Sequence, residues 1–121
     1  MKAIGLELKG KSTFDENGCE TYYPSEEEKE QMLQGKIAVV GTTTYHYNFG
    51  KGEAAREHDY TIVNMDTVSK ISIFYDTEDD YMMSQTFHLK SGSTLFGMSR
   101  NHEEVEKWES LGIPISKGYG W

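Results

Sequence analysis

The sequence of 121 residues holds one cysteine, two prolines and no apolar run near the roughly 20 residues that a bilayer-spanning helix needs. With Cys19 alone, no internal disulfide can form, so the fold must rest on packing, and the chain reads as cytoplasmic. Cys19 follows Asn17-Gly18 among the acids Asp15, Glu16 and Glu20, a setting that does not suit a nucleophilic thiol. The opening Met1-Lys2-Ala3-Ile4-Gly5-Leu6-Glu7 brings in charge too early for a signal peptide. Phosphate cradles are missing: Gly50-Lys51-Gly52 leads into Glu53-Ala54-Ala55-Arg56-Glu57, with no Ser or Thr after the lysine. His46, His58, His88 and His102 lack the short paired spacings of a zinc site. The acidic stretch Asp76 to Asp80 lacks the glycine and terminal glutamate of a calcium loop. With no nucleophile elbow or metalloprotease helix either, the expectation is a non-enzymatic protein without catalytic residue, metal or cofactor.

What the chain does have is negative charge. Twenty Asp and Glu against twelve Lys and Arg give a formal charge of −8, which repels phosphate backbones and anionic lipid, so direct nucleic-acid or membrane binding is not expected. The acids run through the whole chain and are densest at Glu26-Glu27-Glu28-Lys29-Glu30, at Asp76, Glu78, Asp79 and Asp80, and at Glu103, Glu104 and Glu106. Such patches read either as a solubilising surface or as complementarity to a basic partner. Hydrophobic residues at 36 % and aromatics at 12 % are enough to build a core.

Periodicity supplies the elements. Ile4, Leu6 and Leu8 alternate with polar neighbours as a half-buried strand does. Residues 10–24 are turn-rich, with Asn17-Gly18 suited to a hairpin or a loop. Ser25 and Glu28 form a capping box and Gly35 a stop, so the spacing predicts a helix over about 26–34 whose apolar stripe is Met32 and Leu33. From Lys36 to Phe49 alternation predicts a long strand, followed by an exposed connection over 50–57. Strands are signalled at 60–65, 68–75, 81–89 and 94–98, and a second capping box, Asn101 with Glu104, opens a helix over about 102–111 with Val105, Trp108 and Leu111 on one side. The tail, 115–121, either frays or pins something. These elements predict one α+β domain over 1–121: a curved, mainly antiparallel sheet of about five to six strands, with the C-terminal helix packed on it.

For function, the composition points to an acidic binding protein that neutralises a basic, nucleic-acid-handling protein. It shares size, charge and want of catalytic motifs with phage anti-defence inhibitors and with immunity proteins of toxic nucleases. The candidate partner-binding residues are Glu26, Glu27, Glu30, Asp76, Glu78, Asp79 and Asp80, with Tyr45 and Tyr47 as aromatic anchors. The alternative is a homo-oligomeric protein that sequesters a small molecule or nucleotide, with Arg56, Arg100, Lys70 and Lys90 as charge contacts and the same tyrosines stacking. His46 and His88 would approach one another if their strands paired.

Overall fold

Apolar alternation becomes strand structure in the computed structural model, which describes residues 1–48, 53–78 and 82–120, with backbone only for 42–48 and 53–58. The order is β1 (Lys2–Ile4), β2 (Lys11–Phe14), β3 (Glu20–Tyr23), α1 (Glu26–Leu33), β4 (Ile37–Asn48), β5 (Glu53–Asn64), a 3-10 turn (Met65–Thr67), β6 (Val68–Tyr75), β7 (Met83–Leu89), β8 (Thr94–Ser99), α2 (His102–Ser110) and β9 (Ile115–Tyr119). The α+β class holds. The single sheet of five to six strands does not: the strands divide into three sheets ordered β1-β5-β4, β2-β3 and β8-β7-β6-β9. Two pairings are parallel, β1 on β5 and β9 on β6, and join segments too far apart in sequence for any local pattern to announce.

Local differences have local causes. The first strand ends at Ile4 instead of running to Leu8, because Gly5 turns the chain at φ +76° and its carbonyl accepts from Asn64 Nδ2 at 2.9 Å. Residues 10–24 form the β2–β3 hairpin. Glu53 to Glu57, expected as connection, belong to β5: the ladder with β4 runs in unbroken register from Ile37↔Asn64 to Asn48↔Glu53, and pairing overrides the poor strand propensity of Glu-Ala-Ala-Arg-Glu. The tail is pinned as β9, while Trp121 lies outside the described residues. Among the described residues no helix is long and apolar enough to cross a membrane.

The core lies between the inner faces of the larger sheets and α2. Ala38, Val40, Val63 and Met65 meet Ile71, Ile73, Met83, Phe87 and Leu89, and α2 inserts Val105 and Trp108. Trp108 is fully buried, edge-on to Phe87 with centroids 5.4 Å apart. Leu111, expected on the same stripe, is exposed at the helix C-cap, and Ile113 packs on the core after the chain has turned at Gly112. In α1 the expected stripe fails differently: Leu33 is exposed and the buried residue is Glu28.

Where β8 meets β4, Gly97 is buried, and a Cβ there would stand 2.4 Å from Val40 Cγ1 and 3.0 Å from the Gly41 carbonyl oxygen. One of those neighbours is backbone and cannot swing away, so Gly97→Ala is expected to cost about 1–3 kcal/mol by overpacking. A lowered urea midpoint at unchanged slope would show it; an unchanged midpoint would mean that the two sheets can part without loss.

Candidate functional site

The acids of α1 are organised by one that is not available to a partner. Ser25 caps the helix, its hydroxyl accepting from Glu28 N at 3.2 Å, and Glu28 Oε1 accepts in return from Ser25 N at 2.8 Å. The same oxygen takes the Tyr22 hydroxyl at 2.7 Å, and Oε2 takes Lys9 N at 3.2 Å. Burial pushes the Glu28 carboxyl up, but these donors outweigh it and hold it below the ordinary glutamate value. The Tyr22 hydroxyl, pushed up by its own burial and by donating to Glu28, accepts in turn from Gly10 N at 2.9 Å. One carboxylate therefore ties α1 to the β2–β3 hairpin and to the segment before it.

With Glu28 turned inward, Glu26, Glu27 and Glu30 are all exposed. Lys29 lies among them and pairs with Glu26 at 3.1 Å. At the C-terminal end of α1, Gly35 takes φ +75°, and a Cβ there would stand 2.8 Å from Lys107 Cβ, so α1 ends against α2. An open groove at this junction is lined by Gln34, Glu103, Glu106, Lys107, Ser110 and Leu111. Gln34 Nε2 lies 3.5 Å from Glu30 Oε1, which links the α1 acids to Glu103 and Glu106 of α2. Glu104, on the inner side of the same turn, is half-buried; desolvation raises its carboxyl above the ordinary value and Lys107 draws it partly back. The second capping box is half made: Asn101 Oδ1 accepts from Glu104 N at 3.3 Å, but Asn101 N donates to Ser99 Oγ at 3.0 Å.

One residue before Glu103, the other side of α2 faces a second opening. Tyr75, Asp76, Thr77, His102 and Tyr119 line a cleft of about 510 Å³. Asp76 is half-buried at the end of β6, with Oδ1 accepting from Glu78 N at 2.8 Å, and Glu78 is exposed beside it. The first turn of α2 thus has an acidic groove on one side and a cleft with an acidic lip on the other.

Asp79 and Asp80 lie outside the described residues. Tyr45 and Tyr47 stand on β4 in register with Arg56 and Ala54, and the side chains of Tyr45, Tyr47 and Arg56 are outside the description. Lys70, Lys90 and Arg100 are exposed but not gathered. Lys70 is in register with His88, near Lys90, whereas Arg100 follows Ser99, which pairs with Met83 at the opposite end of β7. Five residues of strand, roughly 17 Å, separate the two ends. The strands of His46 and His88 belong to different sheets, and His88 Nε2 instead lies 3.1 Å from Ser72 Oγ. Among the described residues no three His, Cys, Asp or Glu side chains gather as a metal site would need.

Sequence reasoning missed two surface features besides the contacts already described. One is the junction of α1 with α2, whose only trace is Gly35. The other is the outer face of the four-stranded sheet, where Phe74, Phe96 and Met98 are exposed around the buried Ser84. Alternation reveals that a strand has two faces but not which one the fold covers. No family model, curated protein or solved structure matches the chain.

Proposed function

We propose that this is a non-enzymatic binding protein that engages and neutralises a basic, nucleic-acid-handling protein, in the manner of phage anti-defence inhibitors or nuclease immunity proteins. The observation that carries the reading is the junction of the two helices. Glu26, Glu27 and Glu30 continue through Gln34 into Glu103 and Glu106, a carboxylate field held on a helix that Glu28 anchors from within. A fixed array of like charge steers a cationic partner before contact and loses little freedom on meeting it. Lys29 and Lys107 interrupt the field without reversing its sign.

The alternative, a homo-oligomeric small-molecule or nucleotide binder, has less behind it. Its cations Lys70 and Lys90 lie a sheet's length from Arg100, so no single ligand of nucleotide size would meet all three.

The test is association of oligoarginine and oligolysine peptides at low salt. A double reversal, Glu27→Lys with Glu30→Lys, is expected to slow association roughly three- to tenfold and to flatten its salt dependence. An equal reversal away from the helices, Glu16→Lys with Asp66→Lys, controls for net charge. If both pairs slow binding equally, net charge alone is at work and the helix site is refuted.

A further inference from the structure

The end of the four-stranded sheet carries a stack of rings that charge steering does not require. Parallel pairing sets Tyr75 beside Tyr119, and Gly120 N donates to the Tyr75 carbonyl at 3.0 Å, fixing the strand end. The two rings stack with centroids 5.3 Å apart at 28°. On α2, His102 stacks on Tyr75 at 5.7 Å and 12°. All three rings ride on strands or on the capped start of a helix, so the stack is preorganised.

Its open member is Tyr119. With one ring face toward Tyr75 the residue is still 79 % exposed, the most exposed of the large apolar residues described, so its ring also meets water. A ring face is the negative pole of the aromatic quadrupole and attracts cations. Asp76 lines the same cleft, Glu78 adjoins it, and Glu103 follows His102. Three positive terms among the described residues oppose them. Arg100, just past the end of β8 and two residues before His102, is an exposed cation. The N-terminus of α2 contributes about half a charge, which Glu103 and Glu104 in its first turn offset. Lys117, two residues before Tyr119 on β9, is bound to Glu109 at 2.6 Å, which holds its ammonium above the ordinary lysine value and satisfies it locally. Among the described residues the four acids Asp76, Glu78, Glu103 and Glu104 outnumber these cations, so the surround of the cleft is anionic.

We propose that this cleft is a receptor pocket for an arginine side chain of a protein ligand, the guanidinium extending the ring stack at Tyr119 with the acidic lip of the cleft at its edge. A planar cation continues a stack of planar rings and still offers N–H groups at its edge to a carboxylate; a compact ammonium does only the second. The proposal rests on the reading of the chain as a binder of cationic proteins for the source of the guanidinium alone.

The experiment titrates N-acetyl-arginine methylamide into the intact chain and follows the NMR signals of Tyr75, His102 and Tyr119. The expected result is shifts confined to these residues, saturating in the millimolar range. Tyr119→Ala weakens binding about three- to fivefold, and Tyr119→Phe retains it. The lysine counterpart binds more weakly, and the citrulline counterpart, uncharged but of the same shape, does not bind. Equal binding by citrulline, unchanged affinity in Tyr119→Ala, or shifts located elsewhere would overturn the pocket; lysine binding as well as arginine would overturn its guanidinium preference. The monomeric probe does not depend on the α1 field. Arginine binding combined with no effect of the helix reversal removes only the helix site, and the converse removes only the pocket.

Discussion

Trp108→Ala is expected to lower the free energy of unfolding by about 3–5 kcal/mol, a large share of the roughly 5–15 kcal/mol that holds a domain of this size together. The indole is fully buried, meets Phe87 edge-on and is the largest side chain that α2 gives to the core, so truncation leaves a cavity bounded by strands that cannot close over it. Trp108→Phe separates two contributions. Among the described residues the buried indole Nε1 has no hydrogen-bond partner, an unmet donor worth about 1–3 kcal/mol against the fold. Phenylalanine removes that penalty and most of the volume stays, so its net cost is expected to remain under about 1.5 kcal/mol. Urea unfolding followed by far-ultraviolet circular dichroism measures both. A loss in Trp108→Phe well above about 1.5 kcal/mol would overturn the reading of the indole N–H as an unmet donor.

The second large effect is expected at Glu28. Replacement by alanine strips the acceptor from the Tyr22 hydroxyl and from the amides of Ser25 and Lys9, at a cost of about 2–4 kcal/mol. Glutamine should recover only part of this, because its amide nitrogen brings donors to a place where every neighbour already donates. The carboxyl is held below its ordinary value of 4.5 in the folded chain, so the stabilisation is complete above that value and disappears as the pH falls through the folded one. Glu20, bonded to the N-terminal ammonium and to Ser12, and Asp59, bonded to Lys2, are lowered too and add to the acid sensitivity of the parent protein. The difference in melting temperature between parent and Glu28→Ala isolates the one residue: it should be widest at pH 7 and narrow progressively below about 4.5. A constant gap down to pH 3 would mean that Glu28 acts through packing and not through its charge.

Both positions illustrate which features a sequence discloses. Trp108 was legible because helical spacing from Val105 and a cap at Asn101 agree, and tertiary packing bears out the local signal. Glu28 was legible only as a cap. Its burial depends on Tyr22 and Lys9 arriving from the hairpin side, and hydropathy places a glutamate in water by default. The strands β6, β7 and β8 fall where alternation predicts strands, whereas the division into three sheets was not legible, since the partner of β1 is β5 and that of β9 is β6. The same reason hid the ring stack. Tyr75, His102 and Tyr119 come from three elements, and only the parallel ladder and the docking of α2 bring them together. The acidic clusters could be read directly, but that α1 abuts α2 could not, because Gly35 resembles any helix stop until Lys107 is seen against it.

The parallel position of β9 also sets a timetable. During synthesis the β4–β5, β6–β7 and β7–β8 ladders can zip as each second strand leaves the ribosome, but β6 keeps one flank bare until α2 and then Ile115 to Tyr119 have emerged. Through that interval the nascent chain exposes a hydrophobic strand edge, the moment at which a chaperone would have most to protect.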